Sequence, residues 1–252
     1  MIKKRYFGLA SLLLVFSCTL EMDPNGKGNP MRPAETGSVK RNWYYRCTPW
    51  KSPENRFRSA ELEIRGAQSE DDGQESVSSG SVNTSFNYIE LRVDLGRWGG
   101  AYRFPDVQIP QGATINSAFI SLVNYVETFR HAVDSVGCED VDSAAVLIGG
   151  YGSHDISSRW DRRTDAAVLW HDTIKGGTGV RDSTPDLKAL VQEIVDRPNW
   201  KKGNAIIFLF KCLSLESDTS HLELYTWDLD DHTYGGILHV SYGLHEPLIT
   251  KK

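Results

Sequence analysis

The chain has only four cysteines in 252 residues, and no two of them form a Cys-x-x-Cys pair. Without that spacing, the common structural zinc sites and dithiol redox motifs are excluded. No apolar run reaches the roughly 18 residues that a membrane-spanning helix needs. Basic residues are neither in excess nor clustered: 28 Lys and Arg stand against 33 Asp and Glu, for a net charge of −5. Nucleic-acid binding depends on cationic side chains neutralising phosphates, so that partner class is excluded as well. The Gly-x-Ser-x-Gly elbow, the His-Glu-x-x-His metal motif, the P-loop and the Gly-x-Gly-x-x-Gly fingerprint are all missing. The seven histidines are dispersed, with no pair at helical metal-ligand spacing. Ser153-His154-Asp155 contains the residue types of a hydrolase triad. Consecutive residues on an extended chain point to alternating sides, however, and cannot pass a proton among themselves. No cofactor and no enzymatic activity are expected.

What is present is a leader followed by short, turn-punctuated apolar segments. Lys3-Lys4-Arg5 and the apolar stretch Phe7–Phe16 form a signal-like start. Val15-Phe16-Ser17-Cys18 resembles a bacterial lipoprotein box, which makes residues 1–18 a lipoprotein-type signal peptide and Cys18 the lipidated residue. An ordinary secretory signal is the alternative. Thr19 is not the Asp that typically retains lipoproteins in the inner membrane, so the expected address is the outer membrane or cell surface. Residues 19–42 are rich in Gly, Pro, Asn and Glu and read as a flexible tether. Residues 43–245 form the expected domain, and 246–252 a tail. With Cys18 lipidated, Cys47, Cys138 and Cys212 permit one disulfide, and the pairing stays open.

Within the domain the pattern is that of an all-β sandwich. Ala60–Arg65 alternates as a strand, and Gly66–Gly80 is polar enough to read as a loop. Tyr88–Leu95 places Ile89, Leu91, Val93 and Leu95 inward against Glu90, Arg92 and Asp94. Gly96–Gly100 reads as a turn, and Ala101–Val107 as a strand. Pro110 and Gly112 mark a tight turn, since Pro presets φ and Gly accepts φ > 0. Ala118–Val126, Ala144–Tyr151, Asn204–Leu209, Leu222–Trp227 and Ile237–Tyr242 complete the strand set. One helix is predicted, with Thr184 as N-cap and Pro185 at the first position. Its apolar stripe is Leu187, Leu190, Val191, Ile194 and Val195, and Pro198 ends it.

Arg103-Phe104, Ile109–Ala118, Thr164–Trp170, Pro185–Ala205 and Leu238–Tyr242 follow one another in an order that resembles a known family. It is that of the DNRLRE-like and carbohydrate-binding-module-like jelly-roll modules of secreted bacterial proteins and some phage proteins, over about Ser79–Tyr242. The resemblance implies an antiparallel jelly-roll-like β-sandwich acting as an accessory binding or adhesion domain. Val133–Asp142 departs from it as an apparent insertion, and Asp228–His232 as an acidic, His-containing segment.

Candidate sites follow from residue type and position. Trp98 and Trp160, in what read as loops, could stack on a pyranose face, with Tyr102 and Arg162 beside them. Trp170 and Trp200 read as core, and Arg103 as a buried arginine fixing its strand. Glu70, Asp71 and Asp72 in one acidic loop and Asp228, Asp230 and Asp231 in another are the candidate ligands of a structural calcium, with two solvated loops as the plainer reading. The expected function is a non-catalytic, exported, lipid-anchored surface module binding carbohydrate. The alternative is a structural or assembly role toward a protein partner, with an unrecognised hydrolase behind both. An exposed groove with coplanar aromatics favours the first; a long unpaired edge strand favours the second.

Overall fold

The computed structural model describes residues 16–22, 43–49, 57–76, 78–91, 97–125, 132–171, 178–215, 222–229 and 232–245. The chain divides into two units, Met1–Asn55 with Leu248–Lys252, and Arg56–Pro247. In the first unit, β1 (Phe16–Met22) pairs antiparallel with β2 (Trp43–Pro49), and Cys18 stands opposite Cys47.

The second unit is an antiparallel jelly-roll-like β-sandwich. Its strands are β3 (Phe57–Arg65), β4 (Asp72–Ser76), β5 (Ser81–Asn83), β6 (Tyr88–Leu91), β7 (Arg97–Phe104) and β8 (Thr114–Val123). They continue with β9 (Ala132–Cys138), β10 (Val168–His171), β11 (Arg181–Ser183), β12 (Ile206–Leu215), β13 (Leu222–Tyr225) and β14 (Ile237–His245). One sheet has the order β10-β9-β12-β7-β4-β5, the other β11-β8-β14-β3, and β13 pairs with β6. Two short α-helices, α1 (Asp155–Trp160) and α2 (Lys188–Val195), and a 3-10 turn at Ser69–Asp71 complete the unit among the described residues.

Alternation along the strands builds the core. Tyr102 and Phe104 of β7 and Phe208 and Phe210 of β12 join Ile120, Leu122, Leu238 and Val240 of the other sheet in one cluster. Edge-to-face contacts knit it: Tyr102–Phe210 and Phe104–Phe208 at 5.8 Å, and Trp170–Phe210 at 6.0 Å. Each such buried side chain contributes roughly 1.5–3 kcal/mol relative to exposure. The residues in between, Ala101, Ile207 and Leu209, face the other way, into a second cluster with Leu147, Ile156 and Trp160. The six-stranded sheet is thus covered on both faces, which is why Ala205–Phe210 is a continuous apolar run and not an alternating one.

The helix stripe is buried as the sequence predicts: Leu187, Leu190, Val191, Ile194 and Val195 are all at most 1% exposed. The cap differs. Thr184 Oγ1 accepts from Ile120 N at 3.0 Å, while Asp186 Oδ1 accepts from Lys188 N at 3.0 Å and closes the helix entrance. The Pro110–Ala113 turn has Gly112 at φ +68° and a 3.2 Å bond from Ala113 N to Pro110 O, as expected. Trp200 is core, its Nε1 donating to Ile109 O at 2.9 Å.

Four segment assignments are corrected. Gly66–Gly80 is not a loop: it holds β4, whose Asp72, Gln74 and Glu75 are buried because the strand lies between β7 and β5. Gly96–Gly100 is not a turn, because β7 begins at Arg97. A Cβ on Gly99 would lie 1.8 Å from Phe210 O, so a side chain there clashes with the paired strand. Val133–Asp142 is not an insertion: β9 sits between β10 and β12. Ala144–Tyr151 is not a strand, and among its residues only Gly150 makes a bridge, to Val82. Glu90, expected outside, is buried, its N–H donating to Gln74 Oε1 at 2.7 Å.

Candidate functional site

Among the described residues, the aromatic platform expected from the sequence is not assembled. Tyr102 is 2% exposed, and its hydroxyl donates to Tyr225 O at 3.0 Å, so it belongs to the core. Trp160 is 6% exposed in α1, with the Arg163 guanidinium 4.9 Å above its ring. Both corrections have one cause: strand alternation and the α1 packing turn these rings inward. Arg162 is half exposed but committed to Glu139, at 2.9 Å. The side chain of Trp98 lies outside the described residues, and its backbone is in β7.

Arg162 joins a buried network through Glu139. Arg159 Nη1 meets Glu139 Oε2 at 2.9 Å and Ala145 O at 2.9 Å. Its Nη2 meets Val146 O at 2.8 Å and Asp155 Oδ2 at 3.0 Å. The segment covering the outer face of the six-stranded sheet is pinned there. Ser153-His154-Asp155 is part of that scaffolding: Ser153 Oγ donates to Ile148 O, and Asp155 accepts from Ile148 N. Ser157 Oγ donates to Glu75 Oε1 at 2.6 Å, and His154 Nδ1 is 3.7 Å from the same oxygen. Serine and imidazole both turn to one carboxylate, so neither is placed to activate the other.

The two acidic loops do meet, over more than 150 residues of sequence. Asp71 pairs with Arg103 and accepts from Ala67 N at 2.8 Å. Arg103 also donates to Ala144 O at 2.9 Å, fixing its strand as expected. Asp72 Oδ2 accepts from Trp227 N at 2.7 Å, and Asp228 Oδ1 from Ser69 Oγ at 2.6 Å. Asp72 Oδ1 and Asp228 Oδ2 are buried without a hydrogen-bond partner. Burial pushes the Asp72 carboxyl well above its ordinary value of 3.8, and the negative charges of Asp228 and Asp71 push the same way. Beside Asp72 lies a cavity of about 10 Å³, room for one water. Calcium takes six to eight oxygens. Two open carboxylate oxygens next to an arginine do not fit it, and among the described residues no three acidic, His or Cys groups could hold a metal ion. Glu70 contributes its carbonyl to Leu147 N, and Asp230 and Asp231 lie outside the described residues.

The cysteines divide similarly. Cys138 and Cys212 are buried thiols. Cys138 faces Phe208 and Cys212 faces Asp134, four positions apart on the β9–β12 ladder, roughly 13 Å at the rise of a strand. A disulfide between them is excluded by geometry.

The surface with the form of a recognition site is one the sequence reading missed: the outer face and edge of the four-stranded sheet. Register aligns two outward rows, Glu63–His239–Phe119 and Glu61–Ser241–Ser117. They line a groove of about 190 Å³. Phe119 and His239 stack at 4.6 Å with 14° between the rings, and His239 Nδ1 lies 3.4 Å from Glu63 Oε1. Bordering the groove, β3 is the end strand of its sheet. Nine residues long, it pairs with β14 on one side and, among the described residues, with nothing on the other. Alternation in Ala60–Arg65 was the available signal for the strand. Its position at the edge was not in the sequence.

No family model matches the chain, and no curated protein matches it. Three solved structures are similar over most of its length. One from Desmodium yellow mottle tymovirus shares 11% identity at TM-score 0.27, over 89% of this chain and 99% of that one. One from turnip yellow mosaic virus shares 10% at 0.27, over 88% and 93%. A cryo-EM structure of mud crab tombus-like virus shares 9% at 0.26, over 88% and 96%. TM-scores this low carry no argument about function.

Proposed function

We propose that the chain is a non-catalytic, exported and lipid-anchored surface module that works by holding a protein partner, a structural or assembly role. The observation carrying this reading is the unpaired edge of β3. A sheet edge presents a row of backbone donors and acceptors, and proteins that do not use such an edge cover it, shorten it or bend it. Here it is nine residues long. Export and anchoring rest on the basic start, the Phe7–Phe16 stretch and Cys18.

The test is a photo-crosslinking residue at the exposed position Ser59, introduced in the intact cell envelope. A discrete adduct with another protein that disappears in Leu62→Pro supports the reading; no adduct at any β3 position removes it. Anchoring is tested apart, since Cys18→Ser releases the protein from the membrane fraction if lipid holds it there.

Carbohydrate keeps a second reading on one observation, the groove in which Phe119 and His239 lie between polar walls. A glycan array probed with the wild type and Phe119→Ala separates the two: retention that depends on Phe119 favours the glycan.

A further inference from the structure

The free edge of β3 also carries a charge and polarity pattern. Ser59, Glu61, Glu63 and Arg65 are exposed on the outer face. Ala60, Leu62 and Ile64 turn toward the core but remain only partly buried, whereas Leu238 and Val240 on the neighbouring strand are 0% and 2% exposed. The apolar layer of the sandwich is therefore left incompletely covered at this edge. Outside it, two carboxylates two residues apart face solvent, and among the described residues Glu61 makes no ion pair. Glu63 pairs with His239.

We propose, resting on the protein-partner reading above, that β3 accepts an added strand from a different protein whose residues alternate between basic and apolar. Three considerations converge on it. Backbone groups on the open side of β3 need donors and acceptors in strand geometry, which an extended segment supplies along its length. Inward side chains of that segment extend the layer begun by Ala60, Leu62 and Ile64, so they are apolar. Its outward side chains stand directly across from Glu61 and Glu63, where opposite charges attract and like charges repel. The groove beside these glutamates, floored by Phe119, gives the stems of long basic side chains an apolar surface. A second copy of this chain is disfavoured by the same rule: two β3 strands in full antiparallel overlap set Glu61 against Glu61.

The experiment titrates the full chain into three fluorescent ten-residue peptides and reads anisotropy. One alternates Lys and Val, one has the same composition as a Lys block then a Val block, and one alternates Glu and Val. The alternating Lys–Val peptide should bind, with the block peptide at least ~tenfold weaker and the Glu–Val peptide not binding. In the double variant Glu61→Lys and Glu63→Lys, both positions exposed, the preference should invert, by ~tenfold or more, because two cross-strand attractions become repulsions. Equal binding of alternating and block peptides, or a preference that survives the charge reversal, overturns the proposal. If that happens while the Ser59 adduct with another protein persists, the strand chemistry fails and the protein-partner reading stands. Loss of the adduct fails both. An adduct joining two copies of the chain replaces the proposal with self-association.

Discussion

Replacing Arg159 with alanine removes a buried charge that holds two carboxylates and two carbonyl oxygens. The guanidinium is 3% exposed and holds Glu139, Asp155 and two carbonyl oxygens at 2.8–3.1 Å. After truncation Glu139 keeps its ion pair with Arg162, whereas Asp155 keeps the Ile148 N–H but loses the charge that offset its burial. Breaking a buried ion pair from one side costs about 3–5 kcal/mol. For a unit of this size the melting temperature falls by roughly 6–20 °C. The loss should be local first: Arg162 and Arg163, held by the same segment, become rapid trypsin sites while β12 remains protected. Neutralising the stranded acid in Arg159→Met with Asp155→Asn should recover part of the stability. Thermal unfolding followed by circular dichroism, with limited trypsinolysis below the transition, reads both effects. A loss below about 1 kcal/mol, the size of an exposed pair, would refute the claim that this arginine pins the segment.

Other expectations follow from the same geometry. Because the folded-state pKa of Asp72 is raised above 3.8, the folded protein holds a proton that the unfolded chain releases. This contribution is complete below about pH 4 and declines as pH rises through the folded pKa. Asp72→Asn keeps an acceptor for Trp227 N without the titration, so its melting temperature should gain on wild type as pH rises above the ordinary Asp value of about 4; a shrinking gap contradicts the assignment. Gly99→Ala sets a methyl group against Phe210 O and should leave little folded protein at 37 °C, whereas Gly112→Ala meets no atom and should fold, at the cost of about 1–2 kcal/mol that its φ of +68° imposes on a residue with a Cβ. Cys138 and Cys212 should react with a thiol reagent only on unfolding, since burial also raises the Cys138 thiol pKa; prompt labelling of the native protein would show the β9–β12 ladder to be open.

What the sequence made legible were features set by neighbours in the chain. The α2 stripe, the Pro110–Gly112 turn and the alternation of Ala60–Arg65 each need only a few residues to declare themselves. Trp200 and Arg103 were legible for a related reason, since each sits at a fixed point of a local pattern. The misses share a different physics. β4 is polar, and it is a strand because β7 and β5 flank it and its carboxylates find partners far away. α1 has one apolar i, i+4 pair, Ile156 and Trp160, too little periodicity to read. It stands because Glu139 and Glu75, outside it, hold Arg159 and the Ser157 N–H. Asp72 and Asp228 meet only through folding, and the unpaired side of β3 depends on the order of strands in a sheet, which no window of sequence contains.

Amide hydrogen exchange across Ser59–Arg65 tests the central claim most directly, on the full chain alone and with the alternating Lys–Val peptide. The open-side amides of β3 should exchange quickly in the free protein and slow markedly on addition, with β14 unchanged. Slow exchange along all of β3 before any addition would mean that the edge is already covered, and unchanged rates after it would mean that recognition happens elsewhere.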